Sequence, residues 1–180
     1  MVRIFIAIDL PPEIREQVRE CQRILSKTNA KLTLVNPSIT HITLKFIGEM
    51  PTPRIDLIVQ ALSTLRFASF PFEVSGIGAN NLRAPRVIWA NVKDGGRCAD
   101  LHRDIEEILT PLDIPRDGRP FTPHATLARV RSFHPSLLSA LQTLRDQTLG
   151  TTEARCVRLK KSTLQPGGPV YEDLVEVACL

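Results

Sequence analysis

The 180 residues are 43% hydrophobic and 23% charged with a formal charge of +4, a balance that suits a folded chain with a real core and excludes a disordered or collagen-like one. The mild basic excess suits an anionic partner such as RNA, and the first apolar stretch, Met1 to Leu10, is broken by Arg3 and Asp9 and is too short to span a membrane. Cys21, Cys98, Cys156 and Cys179 form no C-x-x-C pair, so the expectation is a single cytoplasmic domain without a zinc site, a signal peptide or a membrane anchor.

Residues 2–8 alternate in a β-rich composition, and Pro11-Pro12 opens a helix whose Ile14, Val18, Cys21 and Leu25 share a face. Residues 31–35 and 40–47 read as strands around an Asn36-Pro37 turn, 54–65 as a helix, 70–77 and 86–92 as strands. A helix over 97–109 gathers Leu101, Ile105, Ile108 and Leu109; 121–130 is a strand; Pro135 starts a helix that carries Leu138, Leu141 and Leu144 towards Gly150. Strands 155–163 and 170–177 flank Gln165-Pro166-Gly167-Gly168-Pro169, a hairpin composition. A Gly167-Gly168 turn would set Cys156 opposite Cys179. The mixture of hairpins and crossovers indicates α+β with largely antiparallel sheet.

An internal echo carries the chemistry. His41-Ile42-Thr43-Leu44 and His124-Ala125-Thr126-Leu127 are both H-x-T-L, both strand-like, and about half a chain apart, which suggests two pseudo-symmetric lobes. In a strand, residues i and i+2 share a face, so each motif presents one imidazole and one hydroxyl while Ile42, Leu44, Ala125 and Leu127 turn inward. Side by side, the two strands would surround one phosphate: one imidazole takes a proton from water, the other gives one to the leaving oxygen. A single H-x-T is usually structural; two copies in matching context are a stronger signal. Zinc is disfavoured because neither histidine has a second His at i+3 or i+4, and no Cys or Glu cluster accompanies them. An H-x-K phosphohistidine motif is also absent, since Lys45 lies four residues after His41.

These residues resemble the two-histidine phosphoesterases, and within them the RNA 2',3'-cyclic phosphodiesterases also called 2'-5' RNA ligases (LigT-like), the archaeal type in particular. The resemblance runs over nearly the whole chain: Arg3-Ile4-Phe5-Ile6-Ala7-Ile8, the first motif through Glu49, Arg86-Val87-Ile88-Trp89, Pro123 through Arg129, and Leu159 through Leu164 followed by Gly168-Pro169-Val170-Tyr171. It implies a bilobed fold around a central cleft with outer helices, His41 as proton donor, His124 as proton acceptor, and Thr43 and Thr126 on phosphate oxygens. It also implies hydrolysis of RNA 2',3'-cyclic phosphate ends to 2'-phosphates without metal or cofactor, and slow reverse ligation of tRNA halves. Leu34-Val35 stand where many bacterial relatives carry a tryptophan, which leaves base stacking there open.

Among the neighbours, Lys45 shares the i, i+2 register of His41 and Thr43 and is assigned to the substrate. Arg129 is out of register and reaches the substrate only if the strand bulges after Leu127. Phe5 is a candidate for base stacking, Phe46 falls on the core face, and Trp89 and Tyr171 read as core or rim. His102 reads as solvated and His134 as a turn residue. The chain is expected as a monomer. Two alternatives use the same fold: an RNA-binding module without turnover, and a phosphodiesterase acting on small cyclic nucleotides.

Overall fold

The computed structural model describes residues 1–180. The chain runs β1 (Val2–Asp9), α1 (Pro12–Leu25), β2 (Lys31–Leu34), β3 (His41–Met50), α2 (Thr52–Leu62), β4 (Phe70–Ala79), β5 (Val87–Lys93), α3 (Arg97–Leu109), β6 (His124–Ser132), α4 (Ser136–Leu144), β7 (Thr148–Ala154), β8 (Cys156–Gln165) and β9 (Gly168–Ala178). The apolar spacing of α1 and α3 predicted their buried faces: Ile14, Val18, Cys21 and Leu25 in one, Leu101, Ile105 and Leu109 in the other. In α4 the buried stripe is Leu137, Leu141 and Leu144, while Leu138 faces water. Strand β7 lies where the sequence suggested the end of a helix; among its side chains only Leu149 is both large and buried, too weak a pattern to announce a strand.

All strand pairs are antiparallel, in the order β7-β4-β5-β6-β3-β1-β8-β9. The two strands expected around Asn36-Pro37 do not pair with each other: β2 adds to β6, Thr33 beside Arg129, and a short 3-10 turn at Pro37–Ile39 separates it from β3. The last hairpin turns at Pro166-Gly167, since Gln165 pairs with Gly168, and a bulge between Leu159 and Lys160 shifts the register once more. Cys156 therefore pairs with Ala178, one residue off the expected Cys179, and both thiols are free.

The sheet divides into two like halves, β3-β1-β8-β9 and β6-β5-β4-β7, which meet in the middle only at Ile42–Ala125. The halves exchange helices. Helix α1 follows β1 but packs on β6 and β7 together with α4, while α3 follows β5 but packs on β3 together with α2. One cluster of 37 buried side chains lies between the helices and the sheet of both halves.

Each motif strand contains the same irregularity. Between β1 and β3 the pairing jumps from Ile6–Lys45 to Ala7–Thr43, and between β5 and β6 from Ile88–Ala128 to Trp89–Thr126. Leu44 and Leu127 are thus the extra residues of two β-bulges, each reversing the in–out alternation beyond it. A bulge frees backbone groups, and here a crossing helix supplies the partner in each case. His102 of α3 donates to the Leu44 carbonyl (2.8 Å), and Gln22 of α1 donates to the carbonyls of Leu127 (2.9 Å) and Val35 (2.7 Å). His102 is therefore not solvated as the charged helix suggested; it is largely buried and stacked on Phe121 at 4.5 Å. Gln22→Leu, which keeps the volume and removes the donor, is expected to cost about 1–3 kcal/mol for the unsatisfied buried acceptors. Urea denaturation of the two proteins measures it.

Candidate active site

The one strand pairing between the halves sets the geometry. With Ile42 across from Ala125 in an antiparallel pair, His41 lies across from Thr126 and Thr43 across from His124, all four on the face away from the helices. Each histidine thus faces the other motif's hydroxyl, and the two histidines are diagonal neighbours whose Cβ atoms stand about 7 Å apart. That is room for one phosphate between two rings.

Both imidazoles are held in the same way. His41 Nδ1 lies 2.8 Å from the Ile39 carbonyl and His124 Nδ1 lies 2.8 Å from the Thr122 carbonyl, two residues earlier in each case. A carbonyl can only accept, so Nδ1 carries the proton and Nε2 is left free for the seam. An aromatic ring packs on each: Phe5 at 4.9 Å and Tyr171 at 5.4 Å for His41, Trp89 at 4.8 Å for His124. Trp89 is itself anchored. Its indole N–H donates to Asn91 (3.1 Å), and the Asn91 amide donates to the Gly76 carbonyl (2.7 Å). Only glycine fits there, because φ is +74° and a Cβ would meet the Arg145 carbonyl at 2.8 Å. Trp89 and Tyr171, which read as core or rim in the sequence, thus both flank the motif imidazoles; their strands carried the family resemblance, which is the signal that marked them.

The bulges decide two further residues in opposite senses. Beyond Leu127, Ala128 turns into the core and Arg129 emerges exposed on the histidine face, the condition on which its role depended. Beyond Leu44, Lys45 turns the other way from the expected register. Its side chain is 2% exposed, and its ammonium is bound on the α3 side by Glu106 (2.6 Å), the Pro115 carbonyl (2.7 Å) and Asp117 (3.0 Å). Lys45 is consequently removed from the substrate-binding set. Phe46, expected in the core, is 55% exposed and occupies the position equivalent to Arg129.

Beside His41 lies an ion network on the same face. Asp9 bridges Lys160 (2.9 Å) and Arg158 (2.9 Å), and these also reach Asp173 and Glu176. With Arg15, 3.9 Å from Asp9, its three cations match its three carboxylates, and Arg129 stands on the histidine face as a cation without a carboxylate partner. Burial holds the His41 imidazole below its ordinary pKa, although the Ile39 carbonyl and Asp9 both favour its charged form. The side chains close enough to share a metal ion are His102, Glu106 and Asp117, behind the sheet, and the Lys45 ammonium already sits against both carboxylates.

The family model for LigT-like phosphoesterases matches residues 8–89 and 92–171, one stretch around each motif. The chain belongs to that family. Curated proteins similar to it include the RNA 2',3'-cyclic phosphodiesterase of Archaeoglobus fulgidus, 35% identical with 96% of this chain and 98% of the relative covered. That of Aeropyrum pernix is 36% identical over 85% of this chain and 89% of its own. Among solved structures, a Thermus thermophilus protein superposes with a TM-score of 0.79 at 29% identity, covering 98% of this chain and 97% of that one. Escherichia coli LigT complexed with 3'-AMP gives 0.77 at 25% identity, covering 99% and 98%. The LigT-like chain is thus α+β with antiparallel sheet and outer helices, as its sequence indicated, and none of its helices is long and apolar enough to cross a membrane.

Proposed function

We propose that the whole chain acts as one domain that hydrolyses 2',3'-cyclic phosphate ends of RNA to 2'-phosphates by acid–base catalysis, with His41 as proton donor and His124 as proton acceptor. The observation that carries this reading is the pair of imidazoles, each with Nδ1 tied to a carbonyl and Nε2 open to one shared seam. His124 takes a proton from the attacking water, the new P–O bond forms, the P–O3' bond breaks, and His41 delivers its proton to the departing 3' oxygen. Thr43, Thr126 and Arg129 donate to the phosphoryl oxygens, whose charge grows as water adds. Neither step calls for a metal or cofactor. With a 5'-hydroxyl in place of water the same two proton transfers join two RNA ends through a 2'-5' linkage.

The test is a short RNA bearing a 2',3'-cyclic phosphate, incubated in excess chelator, with the product end identified and rates followed against pH. A 2'-phosphate product and a bell-shaped profile are expected. The sign of one limb follows from burial. Burial makes His41 give up its proton at a lower pH than a free imidazole, so the limb that His41 governs in kcat/KM lies below the ordinary imidazole value. The bound cyclic phosphate, a monoanion, favours the imidazolium and moves that limb upward in kcat. Activity that vanishes in chelator and returns with added zinc or manganese would assign the nucleophile to a metal instead.

A further inference from the structure

Charge on this molecule is segregated. Three segments meet at the far end of β6: residues 27–34, including β2; the β4–β5 loop, residues 80–86; and residues 129–134. Pairing of Thr33 and Val87 with Arg129, and of Lys31 with Ser132, knits them together, as does the hydrogen bond from the Val130 amide to the Arg86 carbonyl (2.9 Å). They contain Lys27, Lys31, Arg83, Arg86, Arg129 and Arg131, all exposed, and no Asp or Glu. These six cations exceed the +4 of the entire chain, so the remainder is net negative. The opposite edge of the cleft is different: there Arg3 is paired with Glu49 and Lys161 with Glu172.

The cations are aligned with the seam. Arg131 stands two residues beyond Arg129 on the same face of β6, about 7 Å further along the strand, and is steadied by a hydrogen bond from Nε to the Thr33 hydroxyl (2.9 Å). The same segments also expose two apolar side chains, Leu82 and Phe133. A run of exposed cations with apolar surface beside it suits a single nucleic-acid strand, the cations following phosphates and the apolar surface receiving bases.

We propose that this edge is a single-strand RNA track that holds the nucleotides on the 5' side of the cyclic phosphate, making an oligonucleotide the preferred substrate over a mononucleotide. The inference rests on the function proposed above. A 2',3'-cyclic phosphate is a 3' terminus, so the rest of the strand leaves the seam in one direction only, and this edge gathers six exposed cations with no acidic residue among them.

The experiment compares adenosine 2',3'-cyclic phosphate with RNA octamers of the same 3' end, in the parent protein, in Arg83→Glu/Arg86→Glu/Arg131→Glu, and in Arg3→Glu on the opposite edge. In the parent, kcat/KM is expected to be higher for the octamer and to fall more steeply with salt. The triple variant is expected to lower the octamer-to-mononucleotide ratio of kcat/KM at least about tenfold, and its salt slope by about one for each phosphate no longer neutralised. Arg3→Glu should move that ratio less than about twofold on the same reasoning. An octamer no better than the mononucleotide, or a triple variant with the parental ratio, overturns the track. If no cyclic phosphate is turned over, the function reading has failed, and fluorescence anisotropy of a labelled single-stranded octamer decides the track by itself: equal affinity in parent and triple variant overturns it. Tighter binding of a duplex than of the single strand overturns it equally.

Discussion

His41→Ala and His124→Ala are each expected to lower kcat on a 2',3'-cyclic phosphate about 10²- to 10⁴-fold, the usual contribution of a positioned general acid or base. On the transition-state scale that is about 3–5 kcal/mol apiece. The double variant should lose little more than the worse single one, because both imidazoles serve one displacement and their effects do not add. Thr43→Ala and Thr126→Ala remove one neutral donor each and are expected to do less harm. Circular dichroism separates lost chemistry from lost fold. An active His124→Ala protein would make the second motif a structural repeat and end the acid–base reading.

The largest expected effect on stability is at Lys45. Lys45→Met leaves Glu106 charged and buried without its partner, a change that costs about 3–5 kcal/mol in urea or thermal unfolding. Lys45→Met combined with Glu106→Leu should recover most of the loss, since apolar groups of similar volume replace a buried ion pair at little or no net cost. The alternative that the sequence suggested has a different signature: a phosphate-binding Lys45 would leave stability intact and raise KM when removed.

What was legible in the sequence follows from what a repeating pattern can record. Alternation and helical spacing revealed most elements, and the paired H-x-T-L motifs located the seam. A β-bulge leaves no such mark, because one added residue is invisible unless the partner strand is known. The two bulges account for the misread residues of the site: Lys45 and Phe46 exchanged faces, while Arg129 reached the cleft only through the second bulge. His102 looked like part of a charged helix surface because its acceptor, the Leu44 carbonyl, exists only in the folded sheet. Register in the last hairpin failed for the same reason, since the bulge at Leu159–Lys160 and the choice of Pro166-Gly167 as the turn are decided by pairing and twist and leave no composition signal.

The exchange of helices between the halves bears on how the protein is made. When the first 90 or so residues emerge from the ribosome, α1 presents Ile14, Val18, Cys21 and Leu25, whose cover in β6, β7 and α4 has not been synthesised. Strand β1 likewise lacks β8 on one side until residue 158 and its neighbours appear. The amino-terminal half has no core of its own to close, so its apolar surface stays open throughout synthesis, and folding waits for contacts that span most of the chain. Such long-range closure is slow and concerted, and it gives a nascent-chain chaperone a defined surface to protect: the uncovered stripe of α1.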